Sequence, residues 1–230
     1  MAKRRLTKEE LRRDPVRDFL QKIFFWLVAK KDQVLLVSAI VIAVLLIIGY
    51  SKSSHSRGNP EAELQYLRAV TMFASRDTSR AYLDQFRDLV NKYGNTVYGK
   101  KALYYLGVYY LDSFQMDSAK YYLEKFIKSG VDDKFLKAAA HGGLGAVYES
   151  KGLFEDAYRE YMEAYRLALT ETYRGLYFFK AARAKELAGD YDTALKMFEE
   201  FKDKFKDHSF AFEASQEIAF IKGLMEARKG

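Results

Sequence analysis

Leu103, Leu106, Gly107 and Tyr110 stand in the spacing L-x2-L-G-x2-Y, followed by Ala119, Leu123 and Phe126. The same skeleton returns as His141, Leu144, Gly145 and Tyr148, then Ala157, Tyr161 and Ala164. It returns again, with a weaker first half, as Phe178, Ala181 and Ala182, then Ala194, Phe198 and Phe201. Ala119, Ala157 and Ala194 lie 38 and 37 residues apart. No other feature limits the possible folds as strongly. Apolar residues recurring every three or four positions mark the inner faces of helices. A repeated helix pair cannot bury its apolar face alone, so such units are stable only as a stack. Small residues at Gly107, Gly145, Ala182, Ala119, Ala157 and Ala194 let paired helices approach closely, and the large residues three or four away fill the seams. Short polar turns such as DSFQMD, SKGLFED and LAGDYD separate the helices, and no strand-like alternation is sustained. From residue 60 onward the chain reads as all-α.

A second self-match fixes the same period from another phase. KYGNTVYGKKA (92–102) aligns with KFKDHSFAFEA (204–214), so Ile218 and Ala219 correspond to Leu106 and Gly107. Residues 61–92 read as a degenerate first repeat, with Ala69 and Ala81 at the small-residue positions. The C-terminal segment reads as a solitary first helix capping the stack. Residues 60–230 are thus expected to hold about four repeats plus a capping helix. These signatures resemble the tetratricopeptide repeat family, with its W-x2-L-G-x2-Y and A-x3-F pattern. The tryptophan and the closing prolines are absent here, and the turns are longer. The resemblance implies a right-handed superhelix of antiparallel helix pairs. It also implies a concave face, built mostly from first helices, that binds polypeptide.

Within that frame the tyrosines of LYYLGVYYL (103–111) separate by role. Tyr110 and Tyr148 hold the internal position of the repeat and are expected in the core. Tyr105 and Tyr109 are expected against an adjacent repeat or water. Tyr104 and, in the third repeat, Phe179 fall where the family faces its groove. With Lys101, Val108, Arg183 and Glu186 they form the candidate peptide-binding groove: aromatic anchors and a few charges suit an extended or helical peptide. Some family members grip acidic chain termini through a lysine/asparagine clamp. The matching positions here are Tyr104 and Val108, Gly142 and Ala146, Phe179 and Arg183, so that clamp is missing.

The N-terminal region carries a different message. Residues 34–50, VLLVSAIVIAVLLIIGY, contain no charge. At ~1.5 Å per residue they span ~26 Å, close to the ~30 Å hydrocarbon core of a bilayer, and are expected to form one transmembrane helix. Snorkelling Lys31 and Lys52 can cover the shortfall. Residues 1–58 hold 12 Lys/Arg against 5 Asp/Glu, whereas residues 59–230 hold 26 of each. The net charge of +7 therefore belongs wholly to the N-terminal region, and a nucleic-acid footprint on the large domain loses its support. Ten of those basic residues precede the apolar run. The positive-inside rule then sets residues 1–33 as a cytoplasmic tail and the neutral domain outside the cytoplasm. Residues 19–29, FLQKIFFWLVA, either lie along the interface or extend the anchor helix. Residues 51–59 read as a linker, and Asn59-Pro60 supplies an N-cap and an N1 proline for the next helix.

Signs of catalysis are few. The chain has no cysteine, and its three histidines, His55, His141 and His208, lack partners at metal-ligand spacing. HGGLG (141–145) sits inside a helix and matches no phosphate-binding loop. No catalytic, metal or cofactor residues are expected, nor a nucleic-acid partner. The layout of one anchor, a basic tail and extracytoplasmic repeats is similar to that of the bacterial ancillary translocon-subunit family. It implies a non-enzymatic, single-pass inner-membrane scaffold with a periplasmic domain, whose partners are an export channel, a chaperone or envelope-assembly components. One alternative is a scaffold for outer-membrane or cell-wall assembly. NKYGNTVYGKKALYYLG (91–107) looks like repeat junctions of outer-membrane assembly lipoproteins, though those are held by lipid on a cysteine. A cytosol-facing import receptor is the other, and requires the reverse topology.

Overall fold

A computed structural model describes residues 59–75 and 80–228, together with Lys30, Ile42 and Val44. The expected tail, transmembrane helix and all of the linker but Asn59 therefore lie outside the described residues, those three positions apart. Among the described residues no helix is long and apolar enough to cross a membrane. Residues 58–230 form a compact unit of their own.

Among the described residues of that unit nine helices follow one another: α1 (Pro60–Ala74), α2 (Ala81–Tyr93), α3 (Val97–Asp112), α4 (Met116–Lys128), α5 (Lys134–Ser150), α6 (Phe154–Leu167), α7 (Glu171–Leu187), α8 (Tyr191–Lys204) and α9 (Ala211–Ala227). The described residues of this unit contain no strand. Each helix packs on the next, α1 also touches α3, and α3 touches α5. The order is therefore a linear stack of four pairs and a ninth helix.

The starts of the four first helices show why the period holds. Asn59, Thr96, Asp133 and Thr170 are their N-caps, each 37 residues from the last. Each side-chain oxygen accepts a hydrogen bond from a free backbone N–H of the first turn, as Asp133 does from Leu136 at 3.0 Å. Such a cap is typically worth ~1 kcal/mol. The ends of the first helices also repeat. Phe114, Gly152 and Gly189 follow the ends of α3, α5 and α7 with φ of 56°, 70° and 81°. The N–H groups there bond back to the last helical turn in the same way, as in Gly152 to Glu149 and Leu153 to Tyr148. Glycine takes this left-handed conformation without strain; phenylalanine does not.

Packing follows the small-against-large rule. A Cβ on Gly107 would stand 2.6 Å from Leu123 Cγ, and one on Gly145 would stand 2.5 Å from Tyr161 Cε1. Leu103, Leu106, Ala119, Phe126, Leu144, Ala157, Tyr161, Ala194 and Phe198 are all buried. Tyr110 and Tyr148 are only half-buried. Tyr110 stacks on Tyr122 at 5.3 Å and Lys120 lies over the Tyr148 ring at 5.0 Å. They close the outer edge of the helix seams instead of filling the core. Tyr105 reaches back to the preceding pair, stacking on Phe86 at 4.8 Å, and Tyr109 meets Tyr82 at 6.5 Å. Ion pairs also link successive pairs, Lys151 to Asp117 and Lys185 to Glu155. Those acidic partners are exposed, so each pair adds little.

Candidate functional site

The three consecutive first helices α3, α5 and α7 enclose a groove of about 310 Å³. Its floor is the α5 stripe Ala138, Ala139, Gly142, Gly143 and Ala146, at helical spacings of three and four. Tyr104, Val108 and Leu111 of α3 form one wall. Tyr173 and Tyr177 of α7, with Ala168 and Leu169 of the preceding connection, form the other, and Phe135 closes one end. Leu169, Phe135 and Tyr173 are 64%, 47% and 40% exposed, so the rim is open to solvent.

HGGLG makes this geometry. Gly142 admits Tyr177, whose Cε1 would lie 2.4 Å from an added Cβ, and Gly143 admits Leu123 at 2.9 Å on the other side. Gly145 admits Tyr161, as above. Three glycines inside one helix cost about 1 kcal/mol each relative to alanine, and close packing on three sides offsets that cost. His141 points elsewhere, its Nδ1 2.7 Å from Glu160 Oε2.

None of the thirteen lining residues carries a charge. The Tyr104 hydroxyl has its pKa raised by burial, and burial with Tyr173 nearby pushes Tyr177 up to about 12. Both stay neutral hydrogen-bonding groups at physiological pH. Lys101 is not in the groove lining: its Nζ pairs with Asp133 Oδ2 at 2.7 Å, at the start of α5. Burial pushes the Asp133 carboxyl up, but hydrogen bonds from Lys101 and the Leu136 N–H leave it below its ordinary value.

The expected groove residues divide accordingly. Tyr104 and Val108 line the cavity. Phe179 requires a correction: it is 2% exposed, stacks on Phe210 at 4.7 Å and meets Phe198 and Phe201 edge-on. Phe210, in the turn between α8 and α9, covers Phe179, whereas its counterpart Tyr104 in α3 lines the groove. Arg183 and Glu186 form a separate charged region against α9, Arg183 lying 3.9 Å from Glu213. Burial and the neighbouring Glu217 raise Glu186 to about 7. Ala138, Ala139, Phe135, Leu169, Tyr173 and Tyr177 escaped the repeat-position reasoning. The small residues Ala138, Ala139, Gly142, Gly143 and Ala146 were a visible signal for the floor alone.

His208 is structural. A neutral ring donating from Nε2 to the Thr172 carbonyl at 2.9 Å can accept the Phe210 N–H at Nδ1, 3.2 Å away. Among the described residues no group of three or more His, Asp or Glu is placed to hold a metal ion.

Comparison with known proteins agrees with the architecture. Residues 101–129 and 177–208 match the family model of the tetratricopeptide repeat. They cover most of α3 with α4 and most of α7 with α8. No curated protein matches the chain. Among solved structures, nearly identical TPR-like repeats of a protein assigned as a Podosopora anserina kinesin light chain share the fold, with a TM-score of 0.57. The alignment covers 75% of this chain and 90% of that one at 14% identity. At that identity the likeness is one of fold.

Proposed function

We propose that this chain is a non-enzymatic protein-interaction scaffold whose α3–α5–α7 groove takes an apolar segment of a polypeptide partner. The observation that carries the reading is the uncharged, small-floored groove with aromatic walls. At about 310 Å³ it matches the lower limit of drug-sized ligand pockets at ~300 Å³, and its open rim suits one or two large side chains of a longer ligand. Buried aromatic and aliphatic anchors in such pockets dominate peptide affinity. The lining offers no carboxylate, imidazole, thiol or amine for acid–base or nucleophilic work. Matched tetratricopeptide repeats, as protein-binding scaffolds, support the same class of function.

The finer reading rests on the sequence. The apolar run 34–50 anchors the chain in a membrane, the basic flank holds residues 1–33 in the cytoplasm, and the repeat domain works outside it in protein export or envelope biogenesis. A photo-reactive residue in place of Tyr173, activated in native membranes, tests both levels. The expected result is adducts with extracytoplasmic or membrane-inserted polypeptides, and none from the same group at Tyr121 on α4. Adducts restricted to cytoplasmic proteins would sink the localisation; equal capture from both positions would sink the groove.

A further inference from the structure

Helix α9 ends the described array with one face bare. Its buried face, Ala214 and Ile221, packs into the core shared with α7 and α8. The opposite stripe, Phe212, Gln216, Ala219, Phe220 and Gly223, is exposed throughout. Phe212 and Phe220 are 74% and 55% exposed, and the stripe carries no charge. Of the charges near it, Glu213 lies 3.9 Å from Arg183 and Lys222 2.8 Å from Glu199, while exposed Glu226 stands on the same side one turn beyond Gly223, past the end of the stripe.

Two observations indicate that a helix covers this stripe. Ala219 corresponds to Gly107 and Gly145, against which the second helix of each pair packs through Leu123 and Tyr161. On α9 that position lies open. Gly223 is the second. Gly99, Gly107, Gly142, Gly143, Gly145 and Gly175 each have an atom within 3 Å of where a Cβ would sit; Gly223 has nothing within 4 Å. A mid-helix glycine weakens a helix relative to alanine, and nothing in this chain's own packing requires this one.

We propose that the stripe is a self-association surface, with α9 packing antiparallel on α9 of a second copy. In chain order it reads large to small, Phe212, Gln216, Ala219 and Gly223, at the four-three-four spacing of a packed helix seam. Reversing one copy about a two-fold axis sets Phe212 of each over Gly223 of the other, and Gln216 beside Ala219. One stripe then supplies both halves of the contact, as a two-fold interface requires. No charge is buried by it. A single helix pair falls short of the ~800 Å² per partner of a standard interface, so the dimer is concentration-dependent and not obligate.

The native chain has no cysteine, so single cysteines report the register directly. Full-length Phe212→Cys and Gly223→Cys chains in detergent, mixed and mildly oxidised, should form a disulfide-linked dimer. Either variant alone should not, because its two thiols lie eleven residues apart along the seam, ~16 Å. Dimers from Phe212→Cys alone would mean parallel pairing and overturn the proposal, as would no dimer from the mixture. Sedimentation of Ala219→Arg and Gly223→Leu gives the second readout, since neither position is packed within the chain. Both should weaken association at least about tenfold with unfolding temperature unchanged or raised. Association that survives Ala219→Arg, or a chain that pairs only with an unrelated helix, would also overturn it.

Discussion

Gly145→Ala probes the small-against-large packing that defines the stack. The new methyl would stand 2.5, 2.6 and 2.9 Å from three ring carbons of Tyr161, where carbon atoms prefer ~3.5–4.0 Å. The ring must retreat by about 1 Å. It has little freedom to do so, being fully buried with its hydroxyl donating to Glu149 at 2.7 Å. Overpacking of this kind costs ~1–3 kcal/mol, and stretching a hydrogen bond to a carboxylate costs part of a further ~1.5–3. Alanine returns ~1 kcal/mol of helix propensity. The expected net loss is about 2 kcal/mol, or roughly 4–8 °C in unfolding temperature for a domain of this size. Urea and thermal denaturation followed at 222 nm would measure it. In a Tyr161→Leu background the methyl has room, and the same substitution should fall to within ~1 kcal/mol of neutral. A neutral or stabilising Gly145→Ala in the native background, or an equal cost in both, would refute the reasoning.

Phe114→Gly should stabilise the chain by ~0.5–1 kcal/mol, seen as a higher urea midpoint. It relieves a left-handed backbone conformation that Gly152 and Gly189 adopt freely, and Phe114, 84% exposed, contributes little burial. Glu186 gives a pH dependence of known sign. Its pKa is raised to about 7 by burial and by Glu217, so the folded chain holds the proton more tightly than the unfolded one. Stability is then greatest below the ordinary glutamate range and falls as pH rises towards 7. Glu186→Gln should raise the urea midpoint more at pH ~8 than at pH ~4.5. His208→Ala should lower stability by ~2 kcal/mol, because it removes two hydrogen bonds and the ring that fills the space beside Gly175; Tm would report it.

Much of the fold was legible because local and global signals agree. The seam residues around Gly107 and Gly145 follow from spacing alone, since a small residue three or four positions from large ones has one sensible use in a helix pair. Of the four N-caps, Asn59 was legible from the proline after it, whereas Thr96, Asp133 and Thr170, spaced at 37 residues, became visible as caps once the helices were placed. The site was legible only in part. Repeat position puts Tyr104 and Phe179 in equivalent places, yet Phe210 covers one of them from a turn whose path no period encodes. Lys101 and Arg183 are drawn to carboxylates on neighbouring helices, contacts that depend on how successive pairs are offset. The α5 floor needed three helices assembled before Ala138 and Ala139 could be recognised as part of its surface.

The central claim is that the groove binds polypeptide through apolar contact. Fluorescence anisotropy with labelled peptides rich in leucine and phenylalanine tests it most directly, comparing the native chain with Ala139→Trp, which plugs the floor. Binding should change little between ~50 mM and ~500 mM salt, because no charge lines the groove. The plug should weaken binding at least about tenfold with the fold intact by circular dichroism. Binding that is lost in salt and indifferent to the plug would contradict it.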